Sequence, residues 1–185
     1  MVVAVKITEY TVKITTAPMQ KEFLMDRLDI RILDALQDDA SLTQAELAEK
    51  VGSTPSTCIR RVNALRRGGY LEKSVFLASS RRLERRLKAI ISVATNSHGA
   101  NKMADLVARM LEEPAINATF GTTGDVDAIV IGNFVDLEDY HGVCERLFDN
   151  DPYIERYTTY FVVKEFKNST RISTDELARK TSETA

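Results

Sequence analysis

Arg60, Arg61, Arg66 and Arg67 stand in the segment PSTCIRRVNALRR, just after Ser56 and Thr57. A guanidinium can bond the O6 and N7 of guanine bidentately, and a serine or threonine hydroxyl can serve bases or phosphates. That chemistry needs these side chains on one outward helix face, with the N-terminal half nearest the base edges. At about 100° per residue, Ser56, Thr57, Arg60, Ala64 and Arg67 fall on one side, flanked by Arg61 and Asn63. Cys58, Ile59, Val62 and Leu65 are expected on the apolar side. Ser56, Thr57, Arg60 and Arg61 are therefore expected to read bases and Arg66 and Arg67 to hold phosphates, with Thr54 and Asn63 beside them. Taken alone, the pattern also fits an amphipathic helix with a solvated basic face.

The elements around it favour the first reading. Thr43 and Glu46 make a capping box that starts a helix, Leu47, Ala48 and Val51 give it an apolar stripe, and Gly52 is placed to end it. Thr54 then offers a hydroxyl N-cap, with Pro55 at the first helical position, so a second helix should run from Pro55 to about Arg67 and stop at Gly68-Gly69. Upstream, Met25, Leu28, Ile32, Leu33 and Leu36 form one stripe behind a cap at Asp26. This first helix completes a three-helix, helix-turn-helix domain over residues 25–78, whose last segment, YLEKSVFLA, has strand character suited to a wing or an exit ribbon.

Charge divides the chain. Residues 54–90 carry ten Lys/Arg against two acids (+8), and residues 98–166 carry five against thirteen (−8), although the net charge is only −2. A basic block beside an acidic one indicates a DNA-binding domain joined to a domain that does not touch DNA. Residues 79–88, SSRRLERRLK, are too charged for a core and read as a hinge that also faces phosphate. Cys58 and Cys144 have neither metal-ligand spacing nor a disulfide framework, so no metal site is expected and a reducing compartment suits the chain. With no signal peptide and no membrane-length apolar run, the expectation is a cytoplasmic protein without membrane contact.

The second half alternates regularly. Residues 89–95 read as a strand, 98–112 as a helix with Met103, Leu106, Val107, Met110 and Leu111 at helical spacing, and 115–121 and 127–135 as strands joined by a glycine-containing turn. Asp136 caps a helix bearing Leu137, Tyr140, Cys144, Leu147 and Phe148, and residues 154–166 form a last strand. The order βαββαβ is that of a ferredoxin-like unit over residues 89–167, and the fold class is α+β. Residues 1–24 are expected to be an N-terminal extension, in which residues 1–17 alternate weakly (Val3, Val5, Ile7, Val12, Ile14) and fit either a hairpin or a disordered arm. Residues 168–185 are expected to be a flexible tail. His98 and His141, near a helix start and within a helix, are expected to be surface or capping residues rather than ligands.

These features together resemble the Lrp/AsnC family of leucine-responsive and related regulators, over about residues 25–166. The resemblance rests on Met25-Asp26, Asp29 and Ile32-Leu33 in the first helix, on ELAEKVG, on Thr54-Pro55-Ser56 through Arg60-Arg61-Val62 to Leu65, on the GG-aromatic-Leu exit, and on Thr123-Gly124-Asp125-Val126-Asp127 in the second domain. Ser53 and Val126 depart from it, since the family often has Leu at the first position and an aromatic residue, commonly Tyr, at the second. The resemblance implies a transcriptional regulator that binds double-stranded DNA as homodimers, assembles further into tetramers or octamers, and holds an amino-acid effector between subunits without any cofactor.

An amino acid needs amide donors for its carboxylate and an acidic acceptor for its ammonium. Thr122, Thr123, Gly124 and Asp125 can offer the first as an anion-binding turn, Asp125 or Asp127 the second, and Thr159 is a further candidate by analogy with a family threonine. The same residues also fit a plain hairpin turn with solvated acids. A ligand-independent architectural DNA organiser is the alternative function. An enzyme is disfavoured, because no nucleophile–base pair or metal cluster accompanies Asp125 and Asp127.

Overall fold

The computed structural model describes residues 3–7, 10–14, 25–96 and 100–183. His98 and much of the N-terminal extension lie outside them. Within the extension, β1 (Val3–Ile7) and β2 (Tyr10–Ile14) pair as a two-stranded sheet. The rest forms two compact units, one built on residues 25–76 together with residues 167–183, the other on residues 77–166.

In the first unit, local capping sets each helix. Asp26 accepts from the amides of Leu28 and Asp29 at 2.9 Å while Asp29 accepts from Asp26 N–H at 3.0 Å, which starts α1 (Arg27–Asp38). Thr43 and Glu46 cap each other in the same way before α2 (Gln44–Val51). Gly52 closes α2 with φ +63°, a left-handed conformation that a glycine adopts without steric cost, and Ser53 N–H returns to Ala48 O at 2.8 Å. Thr54 accepts from Thr57 N–H and Pro55 opens α3 (Pro55–Arg67). The helices close over Ile32, Leu47, Val51, Cys58, Val62 and Leu65.

Two expectations in this unit are corrected. Residues 70–78 form no strand, since none of them pairs with a described strand, and Val75, Phe76 and Leu77 stand exposed. The segment expected to be a flexible tail instead carries α6 (Asp175–Glu183), clasped to α1. Arg171 bonds Asp38 at 2.5 Å and Asp34 at 3.0 Å. Gln37 and the backbone of Ile172 exchange two bonds, at 2.8 and 3.1 Å, and buried Thr174 donates to Asp34 at 2.8 Å.

The second unit is a four-stranded antiparallel sheet in the order β4–β5–β3–β6, with β3 (Leu87–Thr95), β4 (Ile116–Gly121), β5 (Ala128–Phe134) and β6 (Ile154–Phe161). α4 (Ala100–Glu112) and α5 (Leu137–Cys144) cover one face, and a π-helical turn, Glu145–Asp149, continues α5. This is the ferredoxin-like arrangement, with its core at Ile91, Val93, Leu106, Met110, Val130 and Phe134. The last strand ends at Phe161, short of the expected residue 166. Leu111 and Leu137, placed on apolar stripes by their spacing, are exposed at the stripe edges.

Candidate nucleic-acid interface and ligand loop

The outward face of α3 presents Ser56, Arg60, Asn63, Arg66 and Arg67 to solvent, with Thr57 half-buried. Thr54 is exposed, but its hydroxyl is engaged at the cap, accepting from Thr57 N–H and donating to Thr57 Oγ1 at 2.9 Å. Ser56 Oγ lies 3.3 Å from it, so three hydroxyls cluster at the start of the helix.

Arg61 is turned the other way. Its guanidinium reaches Asp26 at 2.7 Å and Asp29 at 3.0 Å, and the Asp29 side chain is 0% exposed. Burial raises the Asp29 carboxyl above its ordinary range against the pull of its hydrogen bond and of Arg61. For Asp26 burial also works upward, but the Asp29 amide and the Arg61 charge prevail and hold it low. Arg61 thus clamps α3 onto the capped start of α1 rather than reaching into solvent. The apolar stripe of α3 is narrower than its spacing suggested: Cys58, Val62 and Leu65 are buried, while Ile59 is 46% exposed. An exposed hydrophobic side chain beside Arg60 has the chemistry to meet a thymine methyl group, whereas its residue type alone suggests a core position.

In the second unit, the 122–127 loop joins β4 to β5. Thr122 N–H donates to Asp127 O at 2.9 Å and Thr122 Oγ1 to Val126 O at 2.7 Å, which closes the turn. Gly124 takes φ +113°, open to glycine and strained for any other residue. Thr123 and Asp125 point to solvent. The two candidate acids differ sharply. Asp127 Oδ2 accepts from Thr95 N–H at 2.7 Å and Thr95 Oγ1 at 2.8 Å, so its carboxylate ties the loop to the end of β3. The Asp125 carboxylate has no such partner; its backbone oxygen accepts a long 3.5 Å bond from Arg156. Thr159 is not brought to the loop: its hydroxyl meets the Tyr140 hydroxyl at 2.6 Å on the helix-covered side of the sheet. Burial and a hydrogen bond to Cys144 push the Tyr140 phenol up to about 12, against the lowering effect of its bond with Thr159. Burial likewise raises the Cys144 thiol, which leaves it an unreactive core group.

The uncovered face of the sheet carries Ile90, Ile129, Ile131, Phe120 and Tyr160, paired across strands as Ile90 with Ile131 and Tyr160, and Phe120 with Ile129. Phe120 and Tyr160 are 52% and 59% exposed. Among the described residues there is no metal-binding cluster, and no helix is long and apolar enough to cross a membrane.

Known proteins share this arrangement. Residues 25–72 match the winged helix-turn-helix DNA-binding model, and residues 88–172 match the Lrp/AsnC ligand-binding domain. The transcriptional regulatory protein DoeX of Halomonas elongata is 30% identical over 155 residues, covering 83% of this chain and 98% of that protein. The chain belongs to the Lrp/AsnC family. It is a DNA-binding transcriptional regulator, not an enzyme, and its second unit is a ligand-binding domain. The regulator is also 26% identical, over 80% of its length and 90% of the relative's, to the leucine-responsive regulatory protein of Salmonella typhimurium. The Neisseria meningitidis transcriptional regulator NMB0573, solved as an L-Met complex, superposes with a TM-score of 0.79 at 27% identity, covering 83% of this chain and 99% of that one.

Proposed function

We propose that the regulator reads its operator with Ser56, Ile59, Arg60 and Asn63, grips phosphates with Arg66 and Arg67, and adjusts that binding to an amino acid held at the 122–127 loop. The observation that carries the ligand reading is the division of labour between the loop acids. Asp127 is consumed in fixing the loop, and Asp125 is left with a free carboxylate beside the backbone turn at Gly124. A rigid turn with one free acid suits a zwitterion, whose carboxylate takes amide donors and whose ammonium takes the acid. The L-Met complex of the Neisseria relative supports the same ligand class. Arg61 is omitted from the reading set because its guanidinium is committed to Asp26 and Asp29, and Thr159 is omitted from the loop because it faces Tyr140.

The sheet face bearing Phe120, Ile131 and Tyr160 is the surface through which two copies pair in this account, since an apolar sheet face of this extent gains by leaving water. Two recognition helices in successive major grooves then multiply an affinity that one helix, neutralising few phosphates, cannot supply. A ligand alters operator affinity only by binding one state of the assembly more tightly than another.

Thermal melting with each of the twenty amino acids tests the ligand reading. A ligand that binds only the folded state adds RT ln(1 + [L]/Kd), about 2.7 kcal/mol at a hundredfold excess over Kd. One amino acid should raise the melting temperature, and Gly124→Asp should lose that rise, because it strains the turn and places a second negative charge against the ligand carboxylate. A Gly124→Asp protein that still responds as the wild type does would remove the loop from the site. The second reading, an architectural DNA organiser indifferent to amino acids, is favoured by Val126 at the position where the family commonly has an aromatic residue. It requires that none of the twenty shifts the melt.

A further inference from the structure

The turn at residues 79–86 belongs neither to the α3 surface nor to the ligand loop, yet it is the most basic stretch of its unit. Its backbone is closely tied. Arg82 and Leu83 donate their amides to Ser79 O at 3.0 and 3.1 Å, Arg85 donates to Ser80 O at 2.9 Å, and Glu84 completes the turn at φ +59°. Two of its four arginines are already engaged. Arg85 roots the turn on the sheet and α5, bonding Asn133 O at 3.0 Å and Asp139 at 3.5 Å. Arg86 is neutralised by Glu84 at 2.8 Å. Arg81 and Arg82 are exposed, and among the described residues no carboxylate pairs with either.

We infer that Arg81 and Arg82 form a second phosphate-binding surface, through which the ligand-binding unit itself grips the backbone of duplex DNA. Residues 98–166 carry a net charge of −8 and are repelled by DNA, so an unpaired basic turn on that unit gives it one face of the opposite sign. The turn is held rigid by Arg85, so binding a phosphate orders only two side chains rather than a loop. Ser79 follows the end of α3 at Arg67 by twelve residues, a tether of at most about 43 Å when extended, so chain length does not bar both from one duplex. The grip would be blind to sequence, since phosphates position a protein and bases specify it.

The inference rests on DNA binding by α3 and is tested beside it. Arg81→Ala with Arg82→Ala is compared with wild type on a random-sequence duplex and on the regulator's own upstream DNA, across a series of KCl concentrations. Affinity should fall by the same factor on both DNAs. The slope of log K against log salt should become shallower by about 0.9 for each phosphate that is no longer neutralised, so by about 1.8 per chain. Melting temperature should not change, because neither side chain has a partner among the described residues. Arg81→Lys with Arg82→Lys should keep most of the slope, as a phosphate accepts a lysine charge. An unchanged slope overturns the inference and leaves DNA binding by α3 intact. So does a mutant whose only defect is a smaller assembly, which would give the turn to an acidic surface of a second copy. Failure of the wild type to bind either duplex would overturn both readings.

Discussion

Two adjacent arginines on α3 stand in opposite environments. Arg60 lies on the solvent face and is free to meet a guanine; Arg61 is held by Asp26 and by Asp29, whose carboxylate has no exposure. Arg60→Ala should weaken operator binding by about 1–3 kcal/mol and relax base preference locally, with folding stability unchanged. Arg61→Ala should instead destabilise the first unit by about 3 kcal/mol, because a buried carboxylate loses its counter-charge, and reduce binding to operator and random DNA alike. Paired melts and anisotropy titrations separate the two; an Arg61→Ala protein of wild-type stability with altered base preference would refute the clamp. Tyr140 offers a pH test. Its folded pKa lies near 12 against an ordinary 10.0, because burial disfavours the phenolate. The stability it contributes is therefore full below pH 10 and is lost as pH rises through 12, since the unfolded chain ionises first. Tyr140→Phe should flatten the fall in stability between pH 10 and 12 in denaturant titrations, and an equally steep fall in that variant would assign it elsewhere.

At the scale of elements, what could be read from sequence follows the range of the forces involved. The caps at Asp26, Thr43 and Thr54 and the stop at Gly52 act within four residues, and the helices begin and end where those residues place them. The βαββαβ order was equally legible, since strand alternation and helical spacing are local patterns. The inward turn of Arg61 was not, because its partner Asp29 lies 32 residues away and an arginine reads the same whether paired or free. Ile59 misled because hydrophobicity alone does not fix a stripe edge. Of the loop acids, only structure separates Asp127, engaged by Thr95 across 32 residues, from free Asp125. The C-terminal segment hid best: its polar composition suggests disorder, yet its polar groups match Asp34, Gln37 and Asp38 more than 130 residues earlier. Deleting residues 168–185 should cost the first unit about 1–3 kcal/mol, given that half-exposed ion pairs contribute under about 1 kcal/mol each and the buried Thr174 bond adds to them. Hydrogen exchange in α1 should rise accordingly. Unchanged exchange would mean the clasp contributes nothing.

For the whole molecule, the proposal is that a base-reading helix, a phosphate grip and a ligand loop act together in a chain whose basic and acidic blocks are separate in sequence. Its central claim is that an amino acid at the 122–127 loop changes operator affinity, and linkage demands that operator DNA change amino-acid affinity by the same factor. The most direct measurement is an anisotropy titration of the regulator onto its labelled upstream DNA, with and without the amino acid that raises its melting temperature. The midpoint should move with that ligand for the wild type and stay fixed for Gly124→Asp. A wild-type midpoint that does not move with any of the twenty amino acids would contradict that claim.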